Sequence, residues 1–195
     1  MYRRSFLAGL GAIAFAPARA SFALTESAAG NLVGALVDDI NSVIASGKSE
    51  NRMFQDFERI FARYSDTSYI AAYAMGVDGR RASTNQKRAF SKAFQGYISR
   101  KYGRRFRQFI GGRLEIKDIK QVKNWYEVST TAFLKGEAPF TVTFHVSDRS
   151  GKDLFFNMFI EGINLLLTER TEIGALLDRN KGNIDAMISD LDNAG

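Results

Sequence analysis

Hydrophobic positions recur with a helical period through the first half of the chain. The apolar stripes span residues 25–46, 49–64, 66–75 and 83–109. Each stripe predicts an α-helix with one buried face. Ser83 and Gln86, three residues apart, form a capping box at the start of the long fourth helix, and Asp66 is placed to cap the third. The first half of the chain is therefore predicted to be helical.

The hydrophobic period shortens to two after Gly111 and Gly112, which predicts β-strands. The alternating segments span residues 113–122, 125–134, 140–147 and 152–161. Their connections are short enough for hairpins, so the strands form an antiparallel meander. Two short helices, at residues 171–178 and 184–192, close the chain. The predicted fold is α+β, with N-terminal helices packed on a curved antiparallel four-stranded sheet.

Two adjacent strands each carry one wholly apolar face. These faces hold Val142 and Phe144 on the third strand, and Phe156, Met158 and Ile160 on the fourth. A hairpin that pairs them makes one continuous wall, whereas a slip of one residue would turn Glu161 inward as an unpaired buried carboxylate. We predict the first register, with Glu161 at the rim of the sheet.

The long helix carries aromatic residues that are predicted to face this wall. They are Phe90, Phe94 and Tyr97. The pattern does not distinguish a filled core from a cavity, because both require the same residues.

The N-terminus has the features of an export signal. A basic start is followed by a short apolar segment rich in Gly and Ala, and Ala18-Arg19-Ala20 offers a cleavage site. Arg3-Arg4-Ser5-Phe6-Leu7 fits a twin-arginine core, with an ordinary secretory signal as the alternative. The apolar segment is too short to span a bilayer. We expect a signal peptide at residues 1–20, a single domain at residues 21–195 and a periplasmic location.

The composition excludes several kinds of binding site. The chain has no Cys and one His, which excludes disulfides, thiolate metal sites and His-rich metal sites. The signal segment carries three of the 27 basic residues and none of the 21 acidic ones, so the net charge falls from +6 to about +3 on cleavage. Nucleic-acid binding is therefore not expected. The one histidine, His145, alternates outward on its strand and is predicted to lie on the surface.

Basic residues cluster near the end of the long helix. They are Arg100, Lys101, Arg104, Arg105 and Arg107. Such a cluster is either a solvated face that favours the helix dipole or a surface that docks to anionic headgroups or an acidic partner. For catalysis, a small curved-sheet enzyme needs a buried carboxylate and a hydrogen-bonding pair. Asp118, Asn157 or Glu161 could supply the first, and Tyr97, Tyr102 or Tyr126 the second, but their spacing singles out no such set.

Five segments of the chain contain motifs in a fixed order, at residues 57–66, 70–76, 86–102, 156–164 and 181–188. Examples are Ile70-Ala71-x-Tyr73-x-x-Gly76 and Glu161-Gly162-Ile163-Asn164. By their order and spacing these motifs resemble the MlaC family of periplasmic phospholipid-binding proteins, also called toluene-tolerance auxiliary proteins. The chain departs from the family at Asp153, usually Trp, at Asn157, usually Asp, and at Asn164, usually Ser. The departures leave the implied fold intact but put in doubt a role for a buried carboxylate at position 157.

The resemblance implies a cone-shaped sheet of the NTF2-like kind that holds phospholipid acyl chains. It implies a non-enzymatic carrier without cofactors, which moves lipid between the two membranes. Its implied partners are a diacyl phospholipid, an outer-membrane lipoprotein and an inner-membrane ABC transporter of the Mla type, contacted only transiently. The implied lipid-binding residues are Phe90, Phe94, Tyr97, Val142, Phe144, Phe156, Met158 and Ile160. A small periplasmic enzyme on the same fold, or an adaptor without ligand, is the alternative.

Overall fold

A computed structural model of the chain describes residues 23–106 and 112–194. The helices are α1 (Glu26–Ala45), α2 (Glu50–Tyr64), α3 (Thr67–Met75), α4 (Thr84–Phe106), α5 (Leu165–Arg179) and α6 (Ile184–Asn193), with a short 3-10 helix at Gly76–Arg80. The strands are β1 (Arg113–Val122), β2 (Trp125–Phe133), β3 (Phe140–Ser147), β4 (Leu154–Ile160) and β5 (Ile163–Asn164). The predicted signal peptide, and the predicted part of the fourth helix beyond Phe106, lie outside the described residues.

The predicted helix starts are confirmed by their caps. The Asp66 side chain accepts a hydrogen bond from the Tyr69 N–H at 3.1 Å. Ser83 and Gln86 close their capping box reciprocally, with N···O distances of 3.0 and 3.2 Å. These bonds satisfy backbone donors that the first turn of a helix leaves free.

The described strands form one antiparallel sheet in the order β1-β2-β3-β4-β5. The α+β fold is confirmed, but the sheet has five strands where four were predicted. A two-residue turn at Glu161 and Gly162, both with positive φ, returns the chain so that Ile163 pairs with Ile160. Glu161 lies at the rim, where its N–H donates to the Thr141 carbonyl at 3.0 Å and its carboxylate accepts from the Thr141 N–H.

Strand β4 contains a bulge, and because of it the predicted apolar wall is wrong at one position, Phe156. Phe144 pairs with Met158, and Val142 with Ile160, in the predicted register. His145 pairs with Asn157 but Val146 pairs with Phe155, so Phe156 is the extra residue. A bulge of this kind reverses which side chains point to which face beyond it. Phe155, rather than Phe156, therefore continues the apolar face.

Helix α5 begins six residues before its predicted start. The Asn164 side chain accepts from the Leu167 N–H at 3.1 Å, and the Asn157 side chain accepts from the Leu166 N–H at 3.3 Å. These two amides satisfy the first turn, so the apolar run that follows Gly162 folds as helix. The hydrophobic pattern does not predict this start because the run of leucines has no clear period.

One face of the sheet, here called the inner face, is covered by helices. It carries the buried residues Tyr126, Val128, Thr130, Ala132, Val142, Phe144, Val146 and Phe155. Helix α1 packs on β1 and β2, and α3 and α5 pack together beside β4. A Cβ at Gly30 would lie 2.6 Å from the Ile119 side chain, so this glycine permits the close approach of α1 to β1. No helix among the described residues is long and apolar enough to cross a bilayer.

A buried carboxylate ties the start of α2 to the chain before it. Asp56 is 7 % exposed, and its carboxylate accepts from Lys48 at 2.7 Å and from Arg59. The hydrogen bond from Lys48 lowers the pKa of Asp56; burial opposes this effect, and the nearby charges of Lys48 and Arg59 add to it. The ionised form is therefore more stable in the folded protein than in the unfolded chain.

We expect Asp56→Asn to lower the free energy of unfolding by about 1–3 kcal/mol at pH 7, because charged hydrogen bonds are lost. Since the folded pKa lies below the unfolded value of about 3.9, the stabilisation is complete above pH 4 and is lost as the pH falls through the folded pKa. Urea unfolding at pH 7 and pH 3 measures this, and the variant should approach wild type at the lower pH. The exposed Asp118→Asn is the control. An Asp56→Asn deficit that is constant with pH would contradict the assignment.

Candidate functional site

A cavity of about 230 Å³ lies between the inner face of the sheet and helices α1, α2, α4 and α5. The sheet contributes the apolar side chains Val142, Phe144, Phe155, Met158 and Ile160 to its walls. The helices contribute Leu36, Ile40, Phe57, Ile60, Phe61 and Ile98. Such a chamber can take an apolar ligand but supplies few groups to orient a polar one.

The cavity reaches the protein surface at the end of the sheet that holds the β2–β3 connection. Glu137 on this connection is exposed and borders the cavity, and Phe140, which follows it, is half-buried. Met158, Ile160 and Leu165 are also half-buried cavity residues near this end. Apolar side chains at a partly exposed edge suit the entry of an apolar group.

Five of the eight predicted binding residues border the cavity. They are Val142, Phe144, Phe156, Met158 and Ile160. Phe156 is one of these five, but the bulge displaces its ring, which packs against aromatic rings on the opposite face at centroid distances of 5.8 Å to Trp125 and 5.7 Å to His145. Phe155 takes the inner position, at 5.7 Å from the Phe144 ring and 6.0 Å from Phe61.

The other three, Phe90, Phe94 and Tyr97, are not among the cavity-lining residues. Phe90 and Phe94 are each 1 % exposed and stack on one another at 5.5 Å. They lie in the part of α4 that precedes its cavity-lining residues, which begin at Ile98. These three residues were expected to face the apolar wall of the sheet, and the structure places them outside the cavity lining. Lipid binding by all eight residues stays a prediction.

The side of α5 that faces the cavity carries a carboxylate that was not among the predicted site residues. Leu166, Glu169, Ile173 and Leu177 are its buried residues, at helical spacing. Glu169 is 3 % exposed and borders the cavity. A glutamate at helical spacing from buried apolar residues indicates such a buried carboxylate. This spacing can be recognised only when the helix is known to begin at Leu165.

Glu169 belongs to a group that we call the α4–α5 polar cluster: Tyr97, Lys101, Tyr102, Glu169 and Glu172. The Lys101 Nζ lies 2.7 Å from Glu169 Oε1 and 2.6 Å from Glu172 Oε2. The Tyr102 hydroxyl donates to Glu169 Oε1 at 2.5 Å, and the Tyr97 hydroxyl donates to Glu172 Oε2 at 2.8 Å. The cluster thus bridges two helices across the edge of the cavity.

The protonation states of the donors in this cluster follow from their surroundings. Burial by itself would lower the pKa of Lys101, but its hydrogen bonds to Glu169 and Glu172 outweigh burial and raise it. Burial and the nearby charge of Glu169 raise the pKa of both tyrosines. At neutral pH the lysine is therefore charged and both hydroxyls keep their protons as donors.

Two residues of the predicted basic cluster, Arg100 and Lys101, make contacts within the protein. Arg100 donates to the carbonyls of Ala194 and Leu191, at 2.8 and 2.6 Å, and so caps the end of α6. Lys101 belongs to the α4–α5 polar cluster. These two residues therefore do not form a solvated docking face. Arg107 and the side chains of Arg104 and Arg105 lie outside the described residues.

The opposite, outer face of the sheet holds the chain's one histidine. The His145 ring lies 4.2 Å from the Trp125 ring and 4.6 Å from Phe159, and its side chain is only 12 % exposed. It points outward as predicted, but the prediction of a surface histidine is wrong because aromatic rings cover it. Burial lowers the pKa of His145, against the opposing effect of Glu127. Within the described ranges, no group of acidic or His side chains is placed to hold a metal ion.

Comparison with known proteins agrees with this architecture. A family model described as MlaC protein matches residues 34–193. A search of curated proteins found no match. Seven chains of solved structures match, among them a phospholipid-binding protein from Ralstonia solanacearum in complex with a phospholipid. That likeness has a TM-score of 0.73 and 19 % identity, and covers 85 % of this chain and 95 % of that chain. At this identity the likeness is one of fold.

We expect Met158→Trp to fill part of the cavity. Because the added volume enters open space, the free energy of unfolding should fall by less than about 1 kcal/mol, whereas overpacking a filled core typically costs about 1–3 kcal/mol. Binding of an apolar fluorescent dye, measured on the same samples, should weaken.

Phe159→Trp is the matched control, because Phe159 follows Met158 on β4 but packs against His145 on the outer face. It should leave dye binding unchanged. Unaltered dye binding together with a large loss of stability in Met158→Trp would mean that this side chain sits in filled core.

Proposed function

The chain belongs to the MlaC family, and on that premise we propose that it is a periplasmic phospholipid carrier. It moves lipid between the outer and inner membranes as part of an Mla-type lipid-asymmetry transport system. It receives lipid from, or delivers it to, an outer-membrane lipoprotein and an inner-membrane ABC transporter, each by transient contact. The phospholipid held by the structural neighbour from Ralstonia solanacearum supports the ligand class.

The observation that carries this proposal is the apolar cavity between sheet and helices. Burying one methylene group contributes ~0.8 kcal/mol, so two acyl chains contribute on the order of 20 kcal/mol. A phospholipid therefore leaves a membrane through water far too slowly for transport, and a carrier must shield its chains. The walls formed by Phe144, Phe155, Met158 and the facing helices provide this shielding.

The size of the cavity bears on how a lipid fits. Its 230 Å³ exceed the roughly 150 Å³ of an engineered cavity that binds benzene, and fall below the roughly 300–1,000 Å³ of common ligand sites. Two acyl chains therefore need the walls to move apart, or extend through the edge at Phe140 and Met158. The half-buried, unbranched Met158 is suited to such repacking.

Transport makes and breaks no covalent bond. The described side chains that approach the cavity are mostly apolar, and the two tyrosines of the α4–α5 polar cluster already donate to carboxylates. A carrier that is not an enzyme and needs no cofactor accounts for these features.

Protein purified from a bacterial host, from residue 21 onward, should carry about one diacyl phospholipid per chain. Organic extraction followed by mass spectrometry measures the lipid, and native mass spectrometry gives the ratio. Folding is checked in parallel by circular dichroism. Folded protein that repeatedly yields no lipid would refute the proposal.

Export should depend on the twin-arginine core. We expect the double substitution Arg3→Lys and Arg4→Lys to leave the precursor in the cytoplasm, because that route reads the paired arginines. Cell fractionation and immunoblotting measure the precursor and mature forms, and Arg19→Lys, outside the core, is the control. Normal export of the double variant would favour the general secretory route.

A further inference from the structure

Four arginines among the described residues lie over the ring of an aromatic residue, and they are of two kinds. Arg63 lies 5.1 Å from the centre of the Tyr64 ring and also contacts the Asp39 carboxylate at 3.2 Å. Arg113 likewise lies 4.1 Å from the centre of the Phe133 ring and contacts a carboxylate two residues further along β1. The charges of these two guanidinium groups are therefore balanced within the protein.

The other two arginines are not balanced in this way. Arg149, exposed on the β3–β4 connection, lies 5.4 Å from the ring centres of both Tyr69 and Phe156. Arg170, half-buried on α5, lies 5.0 Å from the centre of the Tyr73 ring. Neither forms a salt bridge or a hydrogen bond with another described residue. The aromatic rings thus restrict where each guanidinium lies, while its N–H groups have no acceptor in this part of the chain.

The rings beneath these two arginines belong to neighbouring tyrosines, so the arginines lie on one surface. Tyr69 and Tyr73 are one turn apart on α3, with ring centres 6.3 Å apart. Both are half-buried, and neither hydroxyl has a hydrogen-bond partner within residues 23–106 and 112–194. We call Tyr69, Tyr73, Arg149 and Arg170 the arginine–tyrosine surface. It presents two guanidinium groups and two hydroxyls to solvent.

Exposed apolar side chains border the arginine–tyrosine surface. The side chain of Arg170 packs against Gly76, where a Cβ would lie 3.4 Å from its Nε, and Val77 follows this glycine with 58 % exposure. Leu167 is 52 % exposed and precedes Arg170 by three positions, which places both on the same side of α5. The surface therefore combines cationic, aromatic and apolar groups.

The acidic residues next to these positions in the sequence are used within the protein. Asp148 accepts from the Leu24 N–H at 3.0 Å, and Glu169 belongs to the α4–α5 polar cluster. Asp78 pairs with Arg81 at 2.9 Å. The two guanidinium charges of the arginine–tyrosine surface are therefore left for a partner to balance.

Building on the proposed carrier function, we propose that the arginine–tyrosine surface docks an acidic face of a membrane-protein partner, whose carboxylates accept hydrogen bonds from Arg149 and Arg170. A guanidinium presents its N–H donors in a fixed fork that matches a carboxylate. Tyrosine and arginine are also the residues in which the centres of protein interfaces are enriched. A bilayer matches the surface less well, because attraction to anionic lipids requires a cluster of about four to eight basic residues.

The test measures binding of the mature chain to its two proposed partners, the purified outer-membrane lipoprotein and the purified inner-membrane transporter, each in nanodiscs. Wild type should bind at least one of them in biolayer interferometry, and should not bind empty nanodiscs of the same lipids. Binding should weaken as the NaCl concentration rises from about 50 to about 300 mM, because salt screens exposed charges.

Substitutions separate the charge and the fork from the packing. Arg149→Met and Arg170→Met keep an unbranched chain over the rings but remove the charged donors, and each should weaken binding on the order of tenfold. Arg149→Lys and Arg170→Lys keep the charge without the fork and should give intermediate affinities. Arg63→Met is the matched control, because Arg63 also lies over a tyrosine ring but is balanced by Asp39. It should bind like wild type.

Folding of each variant is checked by circular dichroism, and each outcome decides. Equal binding by wild type and both methionine variants overturns the proposed surface and leaves the carrier function intact. Equal binding to loaded and empty nanodiscs also overturns it, because the occupant is then a bilayer. Wild type that binds neither partner contradicts both the surface and the proposed partners, and lipid extraction from the same sample shows whether phospholipid binding stands. If a methionine variant fails to fold, undiminished binding by the lysine variants contradicts docking through guanidinium forks.

Discussion

The side-chain carbonyl of Asn157 holds together the part of the molecule on which the cavity depends. It accepts from the Met158 N–H at 2.8 Å and from the Leu166 N–H at 3.3 Å, and so joins the bulge in β4 to the first turn of α5. The bulge turns Phe155 inward, and the start of α5 fixes which of its side chains face the cavity. This position requires an acceptor oxygen because both of its partners are backbone N–H donors, and Asn157 therefore has a structural role.

Cavity walls and core in this protein are made of the same kinds of residue, and only their placement differs. Phe144 and Phe155 pack edge to face beside the cavity, whereas Phe90 and Phe94 stack on each other within the helical layer. The chain has 16 Phe and one Trp. Flat rings with no polar atom can border either a void or a neighbouring side chain without leaving a hydrogen bond unmade.

Local chemistry predicted most of the fold. The periods of 3.6 and 2 located the helices and strands, and the capping residues Asp66 and Ser83 placed two helix starts correctly. Three features were not predictable in this way. The bulge at Phe156 depends on pairing with β3, and the division of apolar residues between cavity and core depends on how the helices meet. Contacts between distant parts of the chain decide both, and a pattern along the chain does not contain them. The early start of α5 depends on the nearby caps Asn164 and Asn157, and it was not predicted because the leucines that follow have no clear period.

The position of Trp125 determines what the protein's own fluorescence can report. As the one tryptophan in the chain, it lies on the outer face within 4.2 Å of the His145 ring, with the whole thickness of the sheet between it and the cavity. Its fluorescence emission therefore reports on the local packing of Trp125 against His145 on β3 and Phe156 on β4. Because protonated imidazole quenches indole, that emission follows the charge state of His145. We expect filling of the cavity to reach Trp125 only indirectly, through Phe156, whose ring lies 5.8 Å from it. A reporter introduced on the inner face would respond to occupancy directly.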